Sequence, residues 1–181
     1  MSSTNRGTSR ITNDNYPTPA PAIDALLGVL SIPDWAVFHE PCRGTGAIYD
    51  RIQCAHKSYC EIDEGIDYLS YAALWPYAIT TTNLSRISYN LIVTNPPFSL
   101  AMEFLQKSLT EADTVIYLLR LNFLGSQKRR PFWRANRPTH VLVLSSQPCF
   151  TGDGKTDSIE YAWFCWDRGG FVGLEPGVHV L

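Results

Sequence analysis

No CxxC pair occurs among the five cysteines, Cys42, Cys54, Cys60, Cys149 and Cys165, and no histidine lies at metal-ligand spacing from them. That leaves no metal site or disulfide framework to expect; a scattered free cysteine beside an apolar run acts as a small buried hydrophobe. Nothing here approaches the roughly 18 apolar residues a membrane-crossing helix needs. The opening MSSTNRGTSRITNDN is polar throughout and lacks the apolar centre of a signal peptide, so the expected place of work is the cytoplasm. Residues 1–14 are expected to form a flexible segment and 15–181 a single domain. Charge of one sign is also missing. A formal net charge of -2 gives no global attraction to nucleic acid, so any such binding needs a local patch.

What is present is an ordinary globular composition, 45% apolar and 18% charged, arranged as alternating elements. Ile23, Leu26, Leu27 and Leu30 mark one face of a helix starting at Pro21. Ala36-Val37-Phe38 reads as a strand, followed by a glycine turn and a short helical stretch carrying Ile48 and Ile52. Further strands are expected over Ser58–Ile62, Leu91–Thr94, Val115–Leu119, Val141–Leu144 and Tyr161–Trp166, with a helix bearing Ala101, Met102, Leu105 and Leu109. Strands alternating with helices predict an α/β fold with a mostly parallel sheet. The last two strands, separated by a turn-rich stretch with Gly152, Asp153 and Gly154, predict an antiparallel hairpin.

Ligands of such sheets lie at the carboxyl ends of the strands. The turn there reads Glu40-Pro41-Cys42-Arg43-Gly44-Thr45-Gly46, and its two glycines let backbone approach a ligand, with the N-H groups of the expected helix facing an anion. The third glycine of a dinucleotide fingerprint is replaced by Tyr49, which disfavours a pyrophosphate. Glu40, Glu61, Asp63 and Asp67 fall at or just beyond strand ends. Alone, each carboxylate reads as a solvated loop residue. Together they suit hydroxyl, amine and cationic groups, hence a nucleoside carrying positive charge.

Leu91-Ile92-Val93-Thr94 ends on Asn95-Pro96-Pro97-Phe98, a poor way to end a strand, since proline removes a donor and restricts its predecessor. The pattern fits an amine conjugated into an aromatic ring. Such a nitrogen attacks poorly until acceptors draw its hydrogens. The Asn95 side chain and the Pro96 carbonyl supply two acceptors, proline holds the second rigidly, and Phe98 stacks on the ring.

These parts, with Tyr16-Pro17-Thr18-Pro19 ahead of the first strand, Leu118-Leu119-Arg120-Leu121-Asn122-Phe123-Leu124, and Tyr161-Ala162-Trp163-Phe164, resemble S-adenosylmethionine-dependent amino methyltransferases of the N6-adenine type, particularly small phage and prophage ones. The resemblance spans about Tyr16 to Trp166. It implies a Rossmann-like class I methyltransferase fold with a seven-stranded sheet, and S-adenosyl-L-methionine as cofactor. It also implies Gly44 and Gly46 against the methionine part, Glu61 on the ribose, Asp67 on the cofactor's adenine amine, and Tyr16 and Thr18 closing over the methionine end. Glu40, Pro41, Asp63 and Asn95 complete the cofactor set, and Asn95, Pro96, Pro97 and Phe98 form the catalytic one.

DNA is the expected partner, with adenine flipped between Phe98 and Phe150. Lys128, Arg129, Arg130 and Arg134 would hold the phosphates. The stretch KRRPFWRANR also reads as a solvated loop whose Phe132 and Trp133 belong to the core. Two departures from the family stand out. Too few residues separate Asp63 from Ile66 for a helix, so the third strand is either displaced or lost. No inserted segment is large enough for a target-recognition domain. RNA, or a protein amide in place of the base, keeps the same chemistry, and a cofactor-binding module without catalysis is the alternative of another class.

Overall fold

The computed structural model describes residues 16–70, 89–150 and 159–181. The 1–14 segment and the Gly152–Gly154 turn lie outside them. In chain order the elements are α1 (Ala20–Leu27), β1 (Val37–Glu40), β2 (His56–Tyr59), β3 (Tyr89–Thr94), α2 (Ala101–Glu111), β4 (Ala112–Arg120), α3 (Arg130–Ala135), β5 (His140–Val143), β6 (Tyr161–Asp167) and β7 (Gly177–Val180). They build one seven-stranded sheet of order β2-β1-β3-β4-β6-β5-β7. Every neighbouring pair is parallel except those of β6, which runs antiparallel to both β4 and β5. This is the expected mostly parallel α/β sheet with an antiparallel C-terminal pairing.

The continuous apolar run of β4 reflects burial on both faces. Ile116 and Leu118 join α1 residues Ile23 and Leu26 on one side, while Val115, Tyr117 and Leu119 join α2 residues Phe104 and Leu105 on the other. This is the period-two alternation of a strand. Trp163 is fully buried in β6, and its indole N-H donates to the Ala22 carbonyl at 2.9 Å, tying α1 to the sheet.

Several expectations are corrected. Beyond Asp63 no strand forms among the described residues up to 70, where the third strand was expected to be displaced or lost. Ile62–Glu64 is a single 3-10 turn, ended by Gly65 at φ 81, and the chain then turns again. Strand β2 stops at Tyr59 instead of Ile62, because Glu61 caps that 3-10 turn through its side chain. The count of seven is completed at the opposite edge by β7, which was not expected from the sequence. After the glycine turn, Ile48 and Ile52 are buried but sit on consecutive turns instead of a helix. Lys57 Nζ takes the carbonyls of Tyr49 and Ile52, so that stretch is braced from β2 by a side chain.

At the far end of the sheet Asp167 organises the turn after β6. Its Oδ1 accepts from the Thr114 hydroxyl at 2.6 Å and the Phe171 N-H at 3.0 Å, and its Oδ2 accepts from the Val172 N-H at 2.8 Å. Burial alone would raise its pKa, but the bonds from Thr114, Val172, Phe171 and Gly170 outweigh it and leave the carboxyl below its usual value. The contribution to stability is therefore present above pH 3.8 and lost as the pH falls through the lower folded value. Asp167→Ala should lower the unfolding free energy by about 2 kcal/mol near neutral pH, and urea titrations should show the gap closing as the pH falls below 3.8.

Candidate functional site

A cleft of about 520 Å³ opens at the carboxyl ends of β1 and β3. Tyr16, Thr18, Glu40, Pro41, Gly44, Glu61, Asp63, Asp67, Asn95 and Pro97 all border it, so the expected cofactor set apart from Gly46 converges on one space, whereas Pro96 and Phe98 of the expected catalytic set do not line it. Gly46 is buried just behind the wall. At φ 87, a Cβ there would lie 2.8 Å from an Asp50 carboxylate oxygen, so only glycine fits without strain.

Glu61 holds the glycine turn in shape. Its Oε2 accepts from the Gly44 N-H at 2.6 Å and its Oε1 from the Asp63 N-H at 3.1 Å. The Gly44 N-H thus faces a carboxylate, a correction to the expectation of a helix end aimed at an anion. Cys42 links the turn to the Asn-Pro-Pro-Phe segment. Its Sγ lies 2.9 Å from the Thr94 hydroxyl and donates to the Asn95 carbonyl at 3.4 Å. Burial pushes the thiol pKa up, which keeps the proton for that bond. Asp67 sits on a turn, where its Oδ1 accepts from the Leu69 N-H, and still faces the cleft.

Two buried acceptors have no partner among the described residues: Glu40 Oε2 and Asn95 Oδ1. The Asn95 amide is held in one orientation because its Nδ2 donates to the Tyr16 carbonyl at 3.0 Å. That leaves the oxygen as the end without a partner. An unmade bond at a buried acceptor costs about 1–3 kcal/mol, an arrangement suited to a donor supplied by a ligand. Three exposed apolar side chains at the cleft, Ile62, Leu69 and Leu100, offer a surface for a flat apolar ring.

Phe98 points to the other side, 6.1 Å from the Tyr161 ring, and Phe150 stands 5.0 Å from Tyr161 and 6.3 Å from Tyr16. Pro96 is buried between Asn95 and Pro97 and does not itself line the cleft. In the basic stretch, Lys128, Arg130 and Arg134 are exposed, whereas half-buried Arg129 donates to the Phe123 carbonyl. Phe132 and Trp133 pack on the core, Trp133 stacking on Trp166 at 6.1 Å, as the core reading of this stretch expects, although they sit on α3 and not in a loop. Arg120 and Tyr161, given no role from sequence, stand against Phe98. A charge ending an apolar strand run was the signal for Arg120.

No protein-family model matches the sequence, and no curated protein matches it. Solved structures do match in fold. One is a "putative RNA methyltransferase" from Pyrococcus horikoshii, with TM-score 0.60, 16% identity, and 90% of each chain covered. A type I restriction-modification system methyltransferase subunit from Streptococcus thermophilus matches at TM-score 0.55 and 13% identity, over 85% of this chain but only 45% of that one. A dimethyladenosine transferase from Plasmodium falciparum matches at TM-score 0.52 and 9% identity, covering 82% and 60%. The chain therefore has the Rossmann-like fold of class I methyltransferases.

Burial comes first among the causes that push Glu40 well above its usual value, against a backbone bond from Tyr49 and the charge of Arg43. With the folded value raised, its contribution is complete below pH 4.5 and is lost as the pH rises through the folded value. The ligand-free protein should thus lose stability as the pH rises, and Glu40→Gln should remove that component in urea titrations between pH 5 and 9. A cationic ligand at Glu40 should bind with proton release, measurable as a buffer-dependent binding heat.

Proposed function

We propose that this chain is an S-adenosyl-L-methionine-dependent methyltransferase acting on an exocyclic amine, and that its substrate is the N6 amine of adenine in DNA. The observation that carries the reading is the Asn95 side-chain oxygen, buried, with its amide fixed by Tyr16 and with no donor among the described residues, at the end of β3 on the border of the cleft.

When bound, the cofactor supplies a methyl group on a positively charged sulfur. The residues present fit it. Glu40, with its free buried oxygen, is placed for the α-amino group. Gly44 and Thr45 take the methionine part, with Tyr16 and Thr18 closing over its end. Glu61 serves the ribose diol through the lone pairs its backbone bonds leave, and Asp63 and Asp67 serve polar edges of the nucleoside. Ile62, Leu69 and Leu100 cover the base.

The amine nitrogen is held by Asn95 Oδ1 and the Pro96 carbonyl, which accept its two hydrogens and free its lone pair for attack. Positive charge would develop on that nitrogen as the carbon-nitrogen bond forms and the carbon-sulfur bond breaks to leave a neutral thioether; the two acceptors stabilise the charge most at that point, and the surplus proton is then lost to water. No general base is needed at that step, because the nitrogen becomes acidic only once it carries the charge. Phe98 and Phe150 flank the ring of a flipped base. Exposed Lys128, Arg130 and Arg134 hold the backbone through a salt-sensitive term, with Arg129 anchored beside them.

The likeness to the Pyrococcus horikoshii protein favours RNA as the second substrate to examine. Labelled cofactor offered to separate pools of DNA, RNA and protein should transfer label to DNA. Asn95→Ala should reduce transfer by about 100-fold or more, as removal of a preorganised transition-state partner does elsewhere. Cofactor binding by calorimetry should remain nearly intact. Retained turnover in that variant would refute the mechanism, and label entering only RNA or protein would change the polymer.

A further inference from the structure

Arg120 closes β4, the strand paired with β3, at its carboxyl end. Its guanidinium carbon lies 4.7 Å from the centre of the Phe98 ring and 5.8 Å from that of Tyr161, and its Nε donates to the Tyr161 hydroxyl at 2.9 Å. Tyr161 is 1% exposed and belongs to the core, so it is a fixed support. Phe98 lies in the turn between β3 and α2 and is only partly buried where it packs against that core. Arg120 therefore ties a ring on a turn to a ring in the core.

A guanidinium over an aromatic face is held by the ring's quadrupole and stacks with its own plane, which an ammonium cannot do. The Phe98 face it occupies is closed to any other ring, so a stacking base would have to use the other face. From there the aromatic contacts lead back to the acceptor. Tyr161 meets Phe150, Phe150 meets the Tyr16 ring, and the Tyr16 carbonyl is the group that orients Asn95. The stacking plane and the acceptor are thus set by one connected group of side chains. A displacement of about 1 Å between them would cost on the order of 100-fold in rate.

We propose that Arg120 is a positioning residue for the target ring: by pinning Phe98 against Tyr161 it fixes the plane on which a nucleobase must stack for its exocyclic amine to reach Asn95. The proposal rests on the methyl-transfer reading above and deepens it. Arg120 acts through Phe98 and takes no part in bond making.

The test compares wild type, Arg120→Lys and Arg120→Met on the polymer that the wild type methylates, reading kcat, KM for the polymer and the dissociation constant of S-adenosyl-L-methionine. Arg120→Met should lower kcat roughly tenfold and leave the cofactor constant within about twofold. Arg120→Lys should recover part of the loss by keeping a cation over the ring. Wild-type kcat in Arg120→Met overturns the proposal alone. So does a lysine variant as poor as the methionine one, or a cofactor constant that worsens in step with kcat. If Arg120→Met does not fold, Tyr161→Phe removes only the hydroxyl that holds the guanidinium and should lose kcat several-fold, and an unchanged kcat there overturns the proposal. Absence of transfer by the wild type to any pool overturns the functional reading and this proposal with it.

Discussion

The bond from Asn95 Nδ2 to the Tyr16 carbonyl is the constraint on which the candidate site depends. Without it the amide could turn over and present its NH₂ group where an acceptor is needed. With it, the amide nitrogen is committed to the segment that borders the cleft on its N-terminal side, and the oxygen is left buried with no donor among the described residues. The energetic cost of that orphan is small against the total stability of a domain. On the methyl-transfer reading proposed above, its value lies in being already oriented, so that no reorganisation would be required as charge develops on a substrate nitrogen.

The neighbouring structure keeps this pair in register. Cys42 fastens the glycine turn to Thr94 and Asn95, Glu61 shapes that turn from the end of β2, and parallel pairing of β1 with β3 brings the two strand ends together. Glu61 combines two roles, since the same carboxylate that closes the turn borders the cleft. The likeness to solved methyltransferases stops at the fold, and the chemistry rests on the few side chains gathered at these strand ends.

Much of this was legible in the sequence, for identifiable reasons. Long apolar runs such as Val115–Leu119 and Tyr161–Trp166 can only be buried strands, so the sheet and its antiparallel member were readable. The Asn-Pro-Pro-Phe segment was readable because its local chemistry is unusual in any context. Other features were invisible. Strand β7 pairs through its backbone, and its one short alternation puts the apolar residues outward, leaving Val178 and Val180 72% exposed. The turns after Gly46 carry helix-like apolar spacing, but a lysine from β2 satisfies their carbonyls, a tertiary effect no local pattern shows. The aromatic residues of KRRPFWRANR could have gone to nucleic acid or to the core, and Trp166 decided in favour of the core.

The central claim is that the oriented Asn95 oxygen selects an exocyclic amine, with adenine in DNA as its carrier. Mapping N6-methyladenine in DNA from cells expressing the wild-type chain, beside cells expressing Asn95→Ala, tests it most directly. The account predicts methylated adenines with the wild type and none above background with the variant. Equal modification from both, or unmodified adenine with the wild type, would contradict it.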